Sequence, residues 1–238
     1  MDKAIIIRNL FMLKNKYLKY LSAILLVPIF FYIANVLFFS SFFDYEIKLW
    51  SSIGIWFSSC VIVSYIYIYD IFSIFRKDSF IAKSPVSVFK ILLSAIFFAI
   101  IIGFLELLVS YFMISFLSGS SLSFIHFSSI FFSVLPVILL FSAIGMIVNF
   151  YDNQNIGLYI VSIVCVSFIQ FSQVLVSLKD SSVYFPIYNV IKNIGDYVLI
   201  PGSDFKFLPL FTMYSISLIF LVVAFYFCIK KIGRVYDR

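Results

Sequence analysis

Six apolar runs, each long enough to cross a bilayer as a helix, set the terms for everything else in this chain. They cover roughly residues 21–40, 49–71, 91–117, 129–150, 156–178 and 209–229. A hydrocarbon core about 30 Å thick needs about 20 apolar residues of α-helix to span it. Inside that core every backbone N–H and C=O must find a partner within the protein, and runs of this kind do so as helices. Composition agrees: 63% of the residues are hydrophobic and 12% are charged, against roughly a quarter charged in soluble domains. The expected fold is an all-α integral membrane protein. Residues 1–238 form a single transmembrane domain, with six transmembrane helices behind an N-terminal amphipathic interfacial helix at 1–20.

That first segment is too charged to be a span. Wound as a helix, it places Arg8, Asn9, Asn15, Lys16 and Lys19 on one side. Ile6, Ile7, Leu10, Phe11, Leu13, Tyr17 and Leu18 fall on the other, with Lys3 and Lys14 near the edge. The pattern predicts an in-plane helix with its apolar face in the acyl boundary and its lysines toward the headgroups. A signal peptide is disfavoured, because the charged region is long and no small-residue cleavage site follows.

Charge distribution sets the expected orientation. With the N-terminus inside, the inner segments carry 13 of the 17 Lys and Arg residues and the outer ones carry 4. The positive-inside bias then puts both termini in the cytoplasm. The net charge of +6 lies beside the spans, where it meets anionic lipid rather than nucleic acid. Cys60, Cys165 and Cys228 all sit in apolar runs, too scattered for a disulfide framework or a zinc site. His126 falls in a polar outer loop, 118–128. Segment 179–208 is expected on the outer face, either dipping back toward the membrane or solvated.

Two groups of residues stand out as candidate sites. Residues 70–90 follow the second run and are the most basic interior stretch, with Asp70, Phe75, Arg76, Lys77, Asp78, Lys83, Ser84, Pro85 and Lys90. Residues 71–81 have apolar positions at helical spacing. Ser84, preceding Pro85, is pushed out of the α region and ends the segment, and a new helix can start at Pro85. Such an element suits capture by a soluble partner, or serves only as a positive-inside loop. The second group is intramembrane. Glu106 is the one ionisable residue deep in a span, and Gly103 and Ser110 share its helix face. It is either a pathway or gate residue or a hydrogen-bonding anchor between spans. Gln170 and Gln173, with Ser177, form a polar stripe on the fifth run, for inter-helix hydrogen bonding or for substrate contact.

None of the eight glycines opens a phosphate-binding GxxxxGK[ST] pattern, and one histidine precludes an HExxH metal site within the chain. No serine or cysteine is paired with a nearby base. The chain is expected not to be an enzyme by itself and to bind no cofactor.

The order of features resembles the membrane subunits of type-two ABC exporters, and is most similar to the polysaccharide-export branch, which moves capsule, O-antigen or teichoic-acid chains. Three stretches carry the resemblance: LKNKYLKYLSAILLVPIFFYI at 13–33, IGIWFSSCVIVSYIYIYDIFSIFRKDSFIAKSPVSVFKILLSAI at 53–96, and NFYDNQNIGLYI at 149–160. They are similar to that branch's basic entry helix and first span, its Gly-x-Trp second span with coupling loop and S/T-P-V-S re-entry, and its inner turn. The chain departs from the pattern at Tyr151-Asp152, where arginine often precedes the aspartate, and in lacking Leu-Gly-x-x-Trp in the first span. The resemblance implies a homodimer joined to two copies of a separate ATPase subunit that binds ATP and Mg. It also implies a multi-pass location in a bacterial inner (plasma) membrane and a coupling role for residues 70–85. The alternatives are a related exporter of drugs, peptides or lipids, and a membrane scaffold or assembly factor that transports nothing.

Overall fold

The computed structural model describes residues 3–34, 45–77, 87–119, 123–151, 157, 159–164 and 186–236. Among them there are helices and connecting turns but no strand. We number the helices α1 (Lys3–Asn15), α2 (Tyr17–Tyr32), α3 (Tyr45–Lys77), α4 (Val88–Ser118), α5 (Phe124–Tyr151), α6 (Pro186–Leu199) and α7 (Phe207–Tyr236). Four of these are long and apolar enough to cross a membrane, over Ser51–Ser73, Val88–Leu117, Phe124–Asn149 and Phe207–Lys230. Of the other two expected spans, the first is seen as α2, 16 residues long, or about 24 Å of helix. The fifth lies mostly outside the described residues.

α3 is the core of the bundle. It is the least apolar of the four long helices, with Ser51, Ser52, Ser58, Ser59, Ser64 and Asp70 buried along it, and polar groups in a span turn to protein rather than to lipid. Every residue from 51 to 65 is buried, with α2, α4, α5 and α6 packed around it. Small side chains let the backbones approach, as interfaces between membrane helices require. A Cβ on Gly103 of α4 would come within 2.5 Å of both Ile138 Cδ1 and Ser64 Oγ. The Ser64 hydroxyl at that crossing donates to the Ala99 carbonyl, 3.2 Å away. Phe104 stacks on Phe131, and Tyr111 meets Trp56 at a centroid distance of 5.5 Å and Phe127 at 4.8 Å, giving an aromatic seam between α3, α4 and α5.

The outside of the bundle is greasier than a water-facing surface. On α4 Leu93, Phe97, Ile101, Leu105, Leu108, Phe112 and Phe116 are exposed, one per helical turn along a stripe. α7 is the least enclosed of the long helices, and Phe211, Leu218, Ile219, Val222 and Tyr226 point outward. Serines, by contrast, are found inside. Apolar outside and polar inside is the arrangement expected when the solvent is lipid.

Several boundaries differ from the sequence expectation. The second span ends near Ile71 as expected, at Ser73, but no break in the helix follows it to start a separate amphipathic segment; of the expected 71–81, residues 78–81 lie outside the described residues. α3 continues without a break to Lys77, and Ile71 and Phe72 are buried. The charge expected to end the span, Asp70, is matched by partners within the protein and can stay inside. The helix after it begins at Val88 rather than Pro85, with Ser87 in an extended conformation as its N-cap, and Pro85 lies outside the described residues. At its far end Gly119 adopts the left-handed conformation, φ 68°, that closes helices without steric cost at glycine. α5 starts at Phe124, five residues before the apolar run, because Ser123 caps it: the His126 N–H donates to the Ser123 hydroxyl at 3.3 Å. His126 is therefore in a first helical turn and not in a loop. Segment 179–208 contains α6, whose buried face of Tyr188, Val190, Ile191, Asn193, Ile194 and Gly195 turns into the bundle.

Proline in α5 explains how α7 is attached. Pro136 has no N–H, so the carbonyl four residues earlier, Phe132, loses its helical donor. Tyr214 of α7 supplies one: its hydroxyl donates to the Phe132 oxygen at 3.0 Å. One turn along, the Ser217 hydroxyl lies within hydrogen-bonding reach of the Pro136 oxygen (2.6 Å) and of Met213 in its own helix (2.7 Å). Tyr214→Phe leaves the Phe132 carbonyl unpaired where water is scarce. Unfolding by SDS titration in mixed micelles should show a loss of about 0.6–1.7 kcal/mol, the range for hydrogen bonds between membrane helices. Unchanged stability would mean that the α5–α7 seam holds by packing alone.

Candidate functional site

The candidate residues fall at two levels of the bundle. The first is the end bearing α1, the start of α2 and the last turns of α3. α2 begins just after Lys16, so a break at residue 16 turns the chain from α1 into α2. That turn brings two lysines and a tyrosine onto α3. Lys19 Nζ lies 2.8 Å from both Asp70 carboxylate oxygens, Lys16 Nζ lies 3.3 Å from Oδ1, and the Tyr20 hydroxyl donates to Oδ2 at 3.0 Å. The aspartate is buried, whereas the two lysines are 35% and 49% exposed. Burying a carboxylate is costly unless it is both paired and hydrogen-bonded, and here it is both. Two further bonds tie the same end: Asn9 Nδ2 of α1 donates to Ser94 Oγ of α4 at 3.2 Å, and Asn149 Nδ2 of α5 donates to the Tyr69 carbonyl of α3 at 2.9 Å.

This changes the reading of the interfacial helix. Ile7, Leu10, Phe11, Tyr17 and Leu18 are exposed, as an acyl-facing surface requires. The polar side is not simply turned to the headgroups: Asn9 is buried against α4, and Lys16 and Lys19 engage Asp70, while Arg8 is half-buried and Lys14 remains exposed. Asp70, expected at the start of a coupling loop, is instead an interior residue of α3. Phe75, Arg76 and Lys77 form the last turn of that helix. Asp78, Lys83, Ser84 and Pro85 lie outside the described residues, as do Gln170 and Gln173.

The second level lies at mid-bundle, between α3, α4 and α5. Glu106 is fully buried there on the same face as Gly103 and Ser110, as its spacing predicts. The Ser110 hydroxyl donates back to Leu107 of its own helix at 3.3 Å. Neither Glu106 oxygen has a hydrogen-bond partner among the described residues. Trp56 Nε1 and Ser59 Oγ of α3 and Ser133 Oγ of α5 are likewise buried without a partner, and Cys60 lies within electrostatic reach of Glu106. Sequence periodicity singled out Glu106 but not this company, since the other members come from runs that read as plain apolar helix. Tyr67, Ser115, Ser142 and Tyr188 elsewhere in the bundle also bury a hydroxyl without a partner among the described residues, so the feature particular to this level is the intramembrane carboxyl, a residue type that marks functional positions in spans. Among the described residues, no group of three or more His, Cys, Asp or Glu could hold a metal ion.

Compared with known protein families, with characterised proteins and with solved structures, the chain matches none.

If Glu106 has no ion-pair partner, removing its charge should not weaken the fold. Glu106→Gln and Glu106→Met are expected to unfold in detergent at the same midpoint as the parent protein or a higher one, because a carboxyl without a partner is at least as costly to bury as a neutral amide and more costly than a thioether of similar volume. A loss of about 3–5 kcal/mol in the methionine variant, the usual consequence of breaking a buried ion pair, would reveal a cationic partner.

Proposed function

We propose that this chain is the transmembrane subunit of an ATP-binding-cassette exporter. It would act as a homodimer with two copies of a separate ATPase, moving a cell-surface polysaccharide or lipid-linked glycan across a bacterial plasma membrane. The resemblance of the 13–33, 53–96 and 149–160 stretches to the polysaccharide-export branch of type-two exporters motivates the reading. One structural observation carries it further: the basic stretch that would receive the ATPase is the direct continuation of the most enclosed helix. Arg76 and Lys77 end a helix of 33 residues, about 50 Å long, whose middle is in contact with four neighbouring helices. A push or rotation at that end cannot stay local, because a packed interior transmits displacement rather than absorbing it. The Asp70 latch adds α1 and α2 to whatever moves.

In this reading ATP and Mg bind only the partner, and this chain performs no chemistry. ATP-driven closure of the ATPase pair shifts the cytoplasmic ends of the helices and opens a path between two membrane halves. Both termini lie on the cytoplasmic side, with the α4–α5 and α6–α7 connections outside. Glu106 and its unpartnered neighbours are then the polar level that the path passes or that gates it.

Tagged protein purified from native membranes should bring an ATPase with it. Arg76→Glu combined with Lys77→Glu should insert normally, since neither position lies within the Ser51–Ser73 span. It should nevertheless lose both the co-purifying ATPase and export, as like charges placed against a complementary acidic groove disfavour docking. Retention of both by the double variant would reduce the segment to a positive-inside anchor, and an ATPase without any surface-glycan defect on deletion would point to another cargo.

A further inference from the structure

At the end of the bundle away from α1, the first two turns of α5, the end of α6 and the start of α7 surround a cleft of about 420 Å³. We propose that this cleft holds one hydrocarbon chain of a membrane phospholipid. The inference rests on the membrane embedding of the long helices and is independent of the export reading.

Its walls are mainly rings: Phe132 from α5, Tyr197 from α6, Phe205 from the connection, and Phe207 and Tyr214 from α7. The rings are held edge to face, His126 to Tyr197 at 5.1 Å, Tyr197 to Phe205 at 5.5 Å and Phe205 to Phe207 at 5.2 Å. The connection that carries Phe205 is itself fixed, because Asn193 of α6 grips the Lys206 backbone through both its N–H (3.0 Å) and its carbonyl (2.8 Å). The cleft is thus a built feature, and its volume falls in the range of small-molecule sites, about 300–1,000 Å³.

Three of the four hydroxyls in its wall are already engaged. The Ser128 hydroxyl donates to Ile125 at 2.8 Å, Ser129 to His126 at 2.7 Å, and Tyr214 to Phe132 at 3.0 Å. A sugar ring could also stack on these faces, but only the Tyr197 hydroxyl has no partner among the described residues, and most of the sugar's hydroxyls would lose their bonds to water. A hydrocarbon chain loses nothing. From Ile125 to Phe132 the wall runs about 10 Å along the helix axis, a shape for an extended chain rather than a compact ring. The cleft is also continuous with the lipid-facing surface: Ile125, Phe132 and Phe207 line it and are themselves exposed, next to the outward-pointing Phe211.

A photocrosslinker decides the matter. The full chain would carry p-benzoylphenylalanine in place of Phe207 or, as a control on the open face of α7, in place of Leu218. It would be purified in detergent, washed of loosely held lipid, irradiated and weighed by mass spectrometry. The expected result is a phospholipid adduct at 207 that survives washing, none at 218, and loss of the 207 adduct when Ser129→Trp fills the cleft. Ser128→Leu, a smaller intrusion, should weaken the adduct and serves if the tryptophan variant fails to fold. Absence of a lipid adduct at 207, equal adducts at 207 and 218, insensitivity to both cleft substitutions, or crosslinking to a second copy of this chain would each overturn the proposal.

Discussion

The carboxylate of Asp70 is the group on which the arrangement of this bundle depends. It sits in the most enclosed helix, and three side chains from the α1–α2 turn converge on it. Left alone, a carboxylate so placed would force α3 to end or to expose its last turns. Paired with Lys19 and Lys16 and hydrogen-bonded by Tyr20, it lets α3 continue to Lys77 as one rod. The same contacts fix how the basic helix is docked, because the lysines that could have faced lipid headgroups reach inward. A buried ion pair of this kind contributes little net stability over an apolar substitute. What it supplies is register: one place on α3 where α1 and α2 can attach.

Around that column the bundle obeys the rules of an apolar solvent. Leu and Phe stripes on α4 and α7 face outward, while serine hydroxyls, glycine and a proline carbonyl face inward, where backbones approach and hydrogen bonds form between helices. Most inward polar groups return a bond to their own helix or to the next one, as Ser64 does to Ala99 and Tyr214 to Phe132. Glu106 departs from this rule, and Trp56, Ser59 and Ser133 depart from it with Glu106. Tyr67, Ser115, Ser142 and Tyr188 also bury a hydroxyl without a partner among the described residues, at other places in the bundle; what sets Glu106 apart is that its group is a carboxyl, the costliest of these to bury unpaired.

The amino-acid sequence shows the helical class, a basic helix ahead of the first apolar one (though they part at residue 16 and not at 20, so that Tyr17–Tyr20 belong to α2), the limits of α4 to within a few residues, and the burial of Glu106 with Gly103 and Ser110. Each of these follows from local periodicity. What the sequence hides is long-range pairing. Asp70 reads as the first charge of a loop because its partners lie 50 residues or more away. The role of Tyr214 is invisible without knowing that α7 lies against the gap left by Pro136. The early start of α5 was within reach, since Ser123 is a good N-cap, but the apolar run outweighed it. α6 could be expected only loosely: its buried face emerges once Pro186 is taken as a first helical position. The aromatic cleft draws on three separated segments and leaves no mark in any one of them.

The latch is open to a direct measurement. A double-mutant cycle on Lys19→Gln and Asp70→Asn, read as unfolding free energy in mixed micelles, isolates their mutual interaction from everything else each residue does. The account predicts a coupling energy within about 0.5–3 kcal/mol, as for groups in one ion-pair network. Effects that simply add, to within about 0.3–0.5 kcal/mol as they do for independent sites, would contradict it and leave α1 and α2 without a fixed attachment to the core helix.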